Sequence, residues 1–211
     1  MKKTIAIFAL LFIGVLKAFA NGDEKYAQAM QSALGQMKAA ASPEQMQAVA
    51  NRFEMIGKTA SNEWLPSYYA AFCYANLSYM EKDSRKRDQY VEKAQSLIDA
   101  TMTENDEIFV MKAYVAQANL AIDGQNRWET QGKIFEENLA KAEKLNAQNP
   151  RIDMLRGVSL LFTPEPFGGG AKNACPLLRK AQAQFEAFRP ASALAPNWGK
   201  EDLEQYLAKC K

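Results

Sequence analysis

Residues Asn138 to Gly157 read NLAKAEKLNAQNPRIDMLRG. Leu139 and Ala142, with Phe135 just upstream, fall on one face of a helix at the 3.6-residue period. That helix runs into Asn-Ala-Gln-Asn-Pro. Proline cannot continue a helix, yet it fits the first position of a new one, and Asn149 before it is a capping residue. From Arg151 to Phe162 the chain is apolar-rich again. The stretch predicts an amphipathic helix, a tight turn and a second, more deeply buried helix.

The same alternation extends in both directions, and nowhere is there sustained strand alternation. Upstream, Tyr26, Met30, Ala33, Leu34 and Met37 form a stripe. Ser42-Pro43-Glu44-Gln45 reads as N-cap, first-turn proline and capping-box glutamine, opening a helix with Met46, Val49, Ala50, Phe53 and Ile56 on one face. About Leu65 to Met80 the chain is apolar nearly all round, which predicts burial between neighbours. An amphipathic helix carrying Tyr90, Ala94, Leu97 and Ile98 follows, then an apolar-rich one over Ile108 to Ile122 and an amphipathic one over about Trp128 to Leu145. Downstream of Phe162 come an amphipathic helix over Ala174 to Phe188, through Leu178, Ala181 and Phe185, and a short last one over Lys200 to Cys210. Trp64-Leu65, Ile108-Phe109 and Ile152-Asp153 stand 44 residues apart, and Phe72, Ala116 and Leu160 share the offset. The period holds for the first helix of each pair and slips in the second, as in a degenerate repeat.

Asn138 to Gly157 resembles the junction between tetratricopeptide (TPR) repeats. Ala142 takes the place of the small residue of helix B, Pro150 that of the turn proline, and Leu155 and Gly157 lie near the Leu-Gly step of helix A. Phe53, Phe135 and Phe185 are similar to the helix B aromatic. The period exceeds the usual length of about 34 residues. The runs EWLPSYYAAFCYAN (Glu63 to Asn76) and TPEPFGGGAKNACP (Thr163 to Pro176) resemble a group of small exported TPR-like proteins of Gram-negative bacteria that has no assigned activity. The expected fold is all-α, a TPR-like array of about four helical hairpins plus a C-terminal capping helix. A lone hairpin cannot bury its apolar face, whereas a stack of them makes a continuous core. The resemblance implies a protein or peptide partner along the concave face lined by the A helices. With Gly157 taken as the Leu-Gly glycine, the groove-facing candidates are Tyr74, Tyr114, Gln117 and Phe162.

The N-terminus carries an address. Lys2 and Lys3 precede an apolar run from Ile5 to Leu16, and Ala18-Phe19-Ala20 is a small-x-small cleavage signal, so residues 1–20 read as a secretory signal peptide cut between Ala20 and Asn21. The run is too short for the ~20 residues that span a bilayer. A single TPR-like domain is expected over 21–211, periplasmic or secreted, with no integral membrane segment. Taking the leader's three lysines from the 26 basic residues leaves 23 against 24 acids, a balance that gives nucleic acid no footing. Arg85-Lys86-Arg87 is flanked by Glu81, Asp83 and Asp88 and reads as a solvated helix start.

The chain has no histidine. That removes Ser-His-Asp and Cys-His catalysis and every His-ligated metal site. Glu136 and Glu137 are adjacent on a helix and point in different directions, and no Asp/Asn-rich loop matches a calcium site. The expectation is therefore no enzyme, no cofactor and no metal. Cys73, among Ala70, Phe72 and Tyr74, reads as a small buried hydrophobe. Cys175 opens a helix and Cys210 ends the last one. If those helices pack antiparallel the two thiols meet, and a disulfide would form in an oxidising compartment; two unpaired thiols are the alternative. Two rival functions stay open: an enzyme on a helical scaffold using Cys175 or carboxylates, and a structural protein acting through self-association.

Gly168-Gly169-Gly170 before Lys172 invites comparison with a phosphate loop. The order is wrong for G-x-x-x-x-G-K-[ST], and no strand precedes it. The glycines instead predict a tight interhelical turn, with Asn173 capping the next helix and Pro176 in its first turn.

Overall fold

The structure, a computed structural model, describes residues 23–210. The predicted leader and the Ala20–Asn21 cleavage point lie outside the described residues. Nine α-helices follow one another, with no strand among the described residues: α1 (23–39), α2 (Pro43–Thr59), α3 (Leu65–Met80), α4 (Ser84–Asp99), α5 (Asp106–Leu120), α6 (Gly124–Leu145), α7 (Pro150–Phe162), α8 (Ala171–Ala187) and α9 (Lys200–Leu207). Short 3-10 turns occupy Glu165–Phe167 and Ala208–Cys210. The all-α class and the plan of four hairpins plus a capping helix are what the chain adopts.

α2, α4, α5, α6 and α7 start where a side chain satisfies a free N–H group, whereas α3, α8 and α9 have no side-chain cap. Ser42 Oγ accepts from Gln45 N–H, and Gln45 Oε1 accepts from Ala41 N–H. Asp83 caps α4, Asn105 caps α5 and Asn149 caps α7. The predicted solvated helix start at Arg85 is thus anchored by Asp83, while Arg87 reaches back, its Nε donating to Ser78 O at 2.9 Å.

Two core clusters meet at α5. Ile108, Met111, Val115 and Ala118 pack into a core built from α1 to α5, where Met30, Phe53, Tyr68, Tyr69 and Ile98 are enclosed. Val110, Ala113 and Ala116, on its other face, join Phe135, Leu139, Leu155, Leu178 and Leu203. An all-round apolar helix is the sequence signature of that position between two layers. In the last hairpin, Gly157 allows Leu178 to close in: a Cβ there would sit 2.6 Å from Leu178 Cδ2.

The glycine turn differs from its sequence reading in one respect. α8 begins at Ala171, with Gly170 (φ 88°) as its N-cap, so Asn173 lies inside the first turn and its amide donates back to Gly168 O at 2.9 Å. Pro176 falls beyond the first turn, inside the helix. The reason is local: Gly168 (φ 84°) and Gly170 take left-handed conformations that bring Gly170 N–H onto Leu160 O at 2.9 Å, starting the helix three residues early. Gly169 is buried against the end of α7, and a Cβ on it would overlap the Thr163 carbonyl. Gly169→Ala is accordingly expected to lose about 1–3 kcal/mol through overpacking, read as a lower urea midpoint with unchanged slope. A midpoint equal to that of the parent protein would show that the turn yields freely.

The chain after α8 forms a strap. Segment 188–199 touches α3, α5 and α7, the first helices of the last three hairpins. Tyr69 Oη donates to Leu194 O at 2.8 Å, Trp198 Nε1 donates to Tyr68 Oη at 2.8 Å, and Arg151 Nη2 donates to Pro196 O at 2.6 Å. Just past it, Lys38 on α1 pairs with Glu201 at 3.1 Å. The strap is held from beneath by a buried charge. Arg151 is fully enclosed; its Nη1 donates to Glu107 Oε1 at 2.9 Å, and its guanidinium faces Phe188 at 4.9 Å and Trp198 at 5.3 Å. Tyr68 Oη donates to the other Glu107 oxygen at 3.1 Å, and Asn149 Nδ2 donates to Glu107 Oε1 at 2.8 Å.

Candidate functional site

Beside the strap, the C-terminal ends of the first helices converge on α9. Phe72 and Tyr79 lie seven residues apart on α3, two turns along one face. Asn76 sits between them. Its Nδ2 donates to Phe72 O at 2.7 Å, which turns its Oδ1 toward the hydroxyl of Tyr114, the donor at 3.2 Å. The Tyr114 ring stacks on Phe72 (5.6 Å between centroids), packs on Trp198 (5.2 Å) and leans on Tyr79 (6.0 Å). Phe162, at the end of α7, meets Tyr206 of α9 edge-on at 6.3 Å. This wall is partly open: Tyr79 is 42 % exposed and Phe162 64 %.

The three phenols share one electrostatic neighbourhood. Burial is the main force raising the Tyr114 pKa, and charge on Tyr79, Tyr206 or Asp202 raises it further. Tyr79 is raised by burial, then by Tyr206, with Arg87 opposing. Tyr206 is raised by burial and by Asp202. All three therefore stay protonated at neutral pH and act as neutral donors on an aromatic surface. Such a surface takes a flat apolar ligand by stacking, and its hydroxyls can donate to acceptors or, on losing a proton, serve as oxygen ligands. Among the described residues no group of three or more Cys, Asp or Glu is placed to hold a bare metal ion.

Of the groove candidates read from the sequence, Tyr114 and Phe162 lie at this wall. Tyr74 faces the opposite side, its hydroxyl donating to Glu54 Oε1 at 2.8 Å and bonding with Gln47, its ring beside Tyr90. Gln117 is buried in the seam with α7, its Nε2 donating to Leu155 O at 3.2 Å. Trp198 and Tyr206, which are not among the candidates read from the sequence, also line the wall. The available signal for Trp198 was its setting, a large aromatic in a Pro-containing stretch without helical period, which must find cover somewhere. Cys175 and Cys210 are bonded, with Cα atoms 5.7 Å apart, so Cys175 offers no thiol for chemistry. Cys73 is buried, and burial pushes its thiol up to about 12.

No family model matches the chain, and no curated protein does. Among solved structures, the HusA haemophore from Porphyromonas gingivalis is 30% identical, with 88% of this chain and 92% of that one covered at a TM-score of 0.77. The chain belongs to the HusA family. HusA is by its description a haemophore, and the two folds superpose over nearly their whole lengths. This HusA-family chain has no helix among its described residues long and apolar enough to cross a membrane. The resemblance to TPR repeats has no support beyond the shared helical-hairpin architecture.

Proposed function

We propose that the protein is an exported, non-enzymatic carrier whose ligand is a flat tetrapyrrole of the haem class, bound on the wall formed by Tyr79, Tyr114, Phe162, Trp198 and Tyr206. The observation that carries the reading is this partly open aromatic wall, on a chain similar over most of its length to a haemophore. Stacking supplies affinity without a dedicated metal ligand, as suits a chain with no histidine. If iron is coordinated by the chain, the oxygen of Tyr79 or Tyr206 would do it. Export is supported by the basic-apolar-small pattern of residues 1–20 and by a disulfide, which persists in an oxidising compartment.

The expected protein or peptide partner on the concave face is the weaker reading. Segment 188–199 packs against α3, α5 and α7, three of the helices expected to line that face, and a peptide there would have to lift Trp198 away from Phe72 and Tyr114. The enzyme alternative built on Cys175 has no free thiol to use.

Titration of the mature protein with haemin, followed by the Soret band and by quenching of tryptophan emission, tests the reading. Saturable binding is expected. Tyr79→Ala with Tyr206→Ala should weaken it by about 30–100-fold, on the scale of 1–3 kcal/mol for one ring-stacking contact. Wild-type protein that leaves the Soret band unmoved, or a double variant that binds as tightly as wild type, would overturn it.

A further inference from the structure

The geometry points to a carboxylate-binding subsite at the C-terminal corner of the molecule, continuous with the aromatic wall. The inference rests on the tetrapyrrole reading and names the part of that ligand the corner would take. An open pocket of about 260 Å³ lies over the Cys175–Cys210 bond and is lined by Lys172, Arg179 and Lys209. No acid lines it. All three cations are exposed, and among the described residues none of them forms an ion pair. Arg179 is turned toward the pocket by a bond from its Nη2 to Cys210 O at 3.4 Å.

Lys209 joins the corner to the wall. Its Nζ stands 4.6 Å from the centre of the Phe162 ring, the same ring that meets Tyr206 edge-on. A disc stacked on one of these two perpendicular rings therefore lies beside the Lys209 ammonium, with the Lys172 and Arg179 cations in the adjoining pocket. Tetrapyrroles of the haem class are discs with a matching polarity: apolar faces and carboxylate chains along one edge. Unpaired cations of one sign, set together in a concave corner, raise the local concentration of anionic groups, and an arginine fork suits a carboxylate. The subsite gives the wall an orientation. It selects diacid over neutral discs and places the carboxylate edge toward the disulfide corner.

The test compares protoporphyrin IX with its dimethyl ester, which keeps the disc and removes the charges, on wild type and on Lys172→Gln/Arg179→Gln. Wild type is expected to bind the diacid about 10-fold more tightly than the diester, and the preference should shrink as salt rises from 20 mM to 500 mM. In the double variant the diacid should weaken by about 5–10-fold while the diester is unchanged. Equal binding of diacid and diester by wild type, or a preference that survives in the variant, overturns the subsite and leaves the aromatic reading standing. Failure of wild type to bind either compound overturns both.

Discussion

Arg151→Ala is expected to cost about 3–5 kcal/mol of folding stability, the scale for removing one partner of an enclosed ion pair. The loss has several sources. Glu107 would stay enclosed without its counter-charge, Pro196 O would lose its donor, and Phe188 and Trp198 would lose the plane between them. Lysine should restore only part of this, since a single ammonium cannot reach both acceptors and stack. The deficit should also depend on pH. Burial already holds the Glu107 carboxyl above its ordinary 4.5, with the Arg151 charge pulling it down. Without that charge the folded pKa climbs further. A carboxyl with a raised folded pKa takes up a proton on folding, so its penalty is absent below its unfolded value and grows as pH rises through the folded one. Urea melts should therefore show a smaller deficit at pH 5 than at pH 7.5. Arg151→Met combined with Glu107→Gln should recover much of the loss, because no charge is then stranded. A pH-independent deficit would show that lost packing, rather than the stranded carboxylate, dominates.

Replacing Cys175 and Cys210 together by serine should cost about 4 kcal/mol, the chain-entropy figure for a bond closing a separation of 35 residues. The region it closes includes the strap and α9. Leu203 is the one buried residue of α9, with Tyr206 and Leu207 partly covered beside it, so the bond carries much of that helix's attachment. Equilibrium denaturation without reductant, set against the parent protein, reads the effect. A change under about 1 kcal/mol would show that Leu203 and the Lys38–Glu201 pair hold the terminus unaided. Near-ultraviolet dichroism should weaken in parallel as Tyr206 loses its fixed place against Phe162.

What could be read from the sequence was local. Asn149-Pro150, Asn105 and Ser42-Pro43 announce helix starts because a cap acts within three residues, and α5 announces its burial because both of its faces are apolar. Gly169 was legible as a close approach, although the residue it approaches was not. The site was legible only in part. On α3, Tyr74 and Tyr79 are five residues apart and so about 140° apart around the axis. In a helix that is apolar all round, no pattern tells which of them faces the open side. The sequence register selected Tyr74, whereas the open wall holds Tyr79. Trp198, Tyr206 and Lys209 come from the end of the chain, and their partners lie far away in sequence: Trp198 bonds a tyrosine 130 residues earlier. Periodicity carries no information about such contacts. The buried Arg151 is hidden for the same reason, since an arginine in the first turn of a helix ordinarily reads as solvated.

The strap also sets how the protein must fold. A linear stack of hairpins has only near-neighbour contacts, so it can nucleate anywhere and be lengthened or cut one unit at a time. Here Lys38 pairs with a residue 163 positions away, and Tyr69 bonds one 125 positions away. These contacts raise the mean sequence separation and place a slow, non-local closure after the fast local pairing of helices. They also tie the strap back to the second hairpin, so that deleting the chain after α8 would unsettle α3. The chain is built from repeating parts but unfolds as a ring would, all at once.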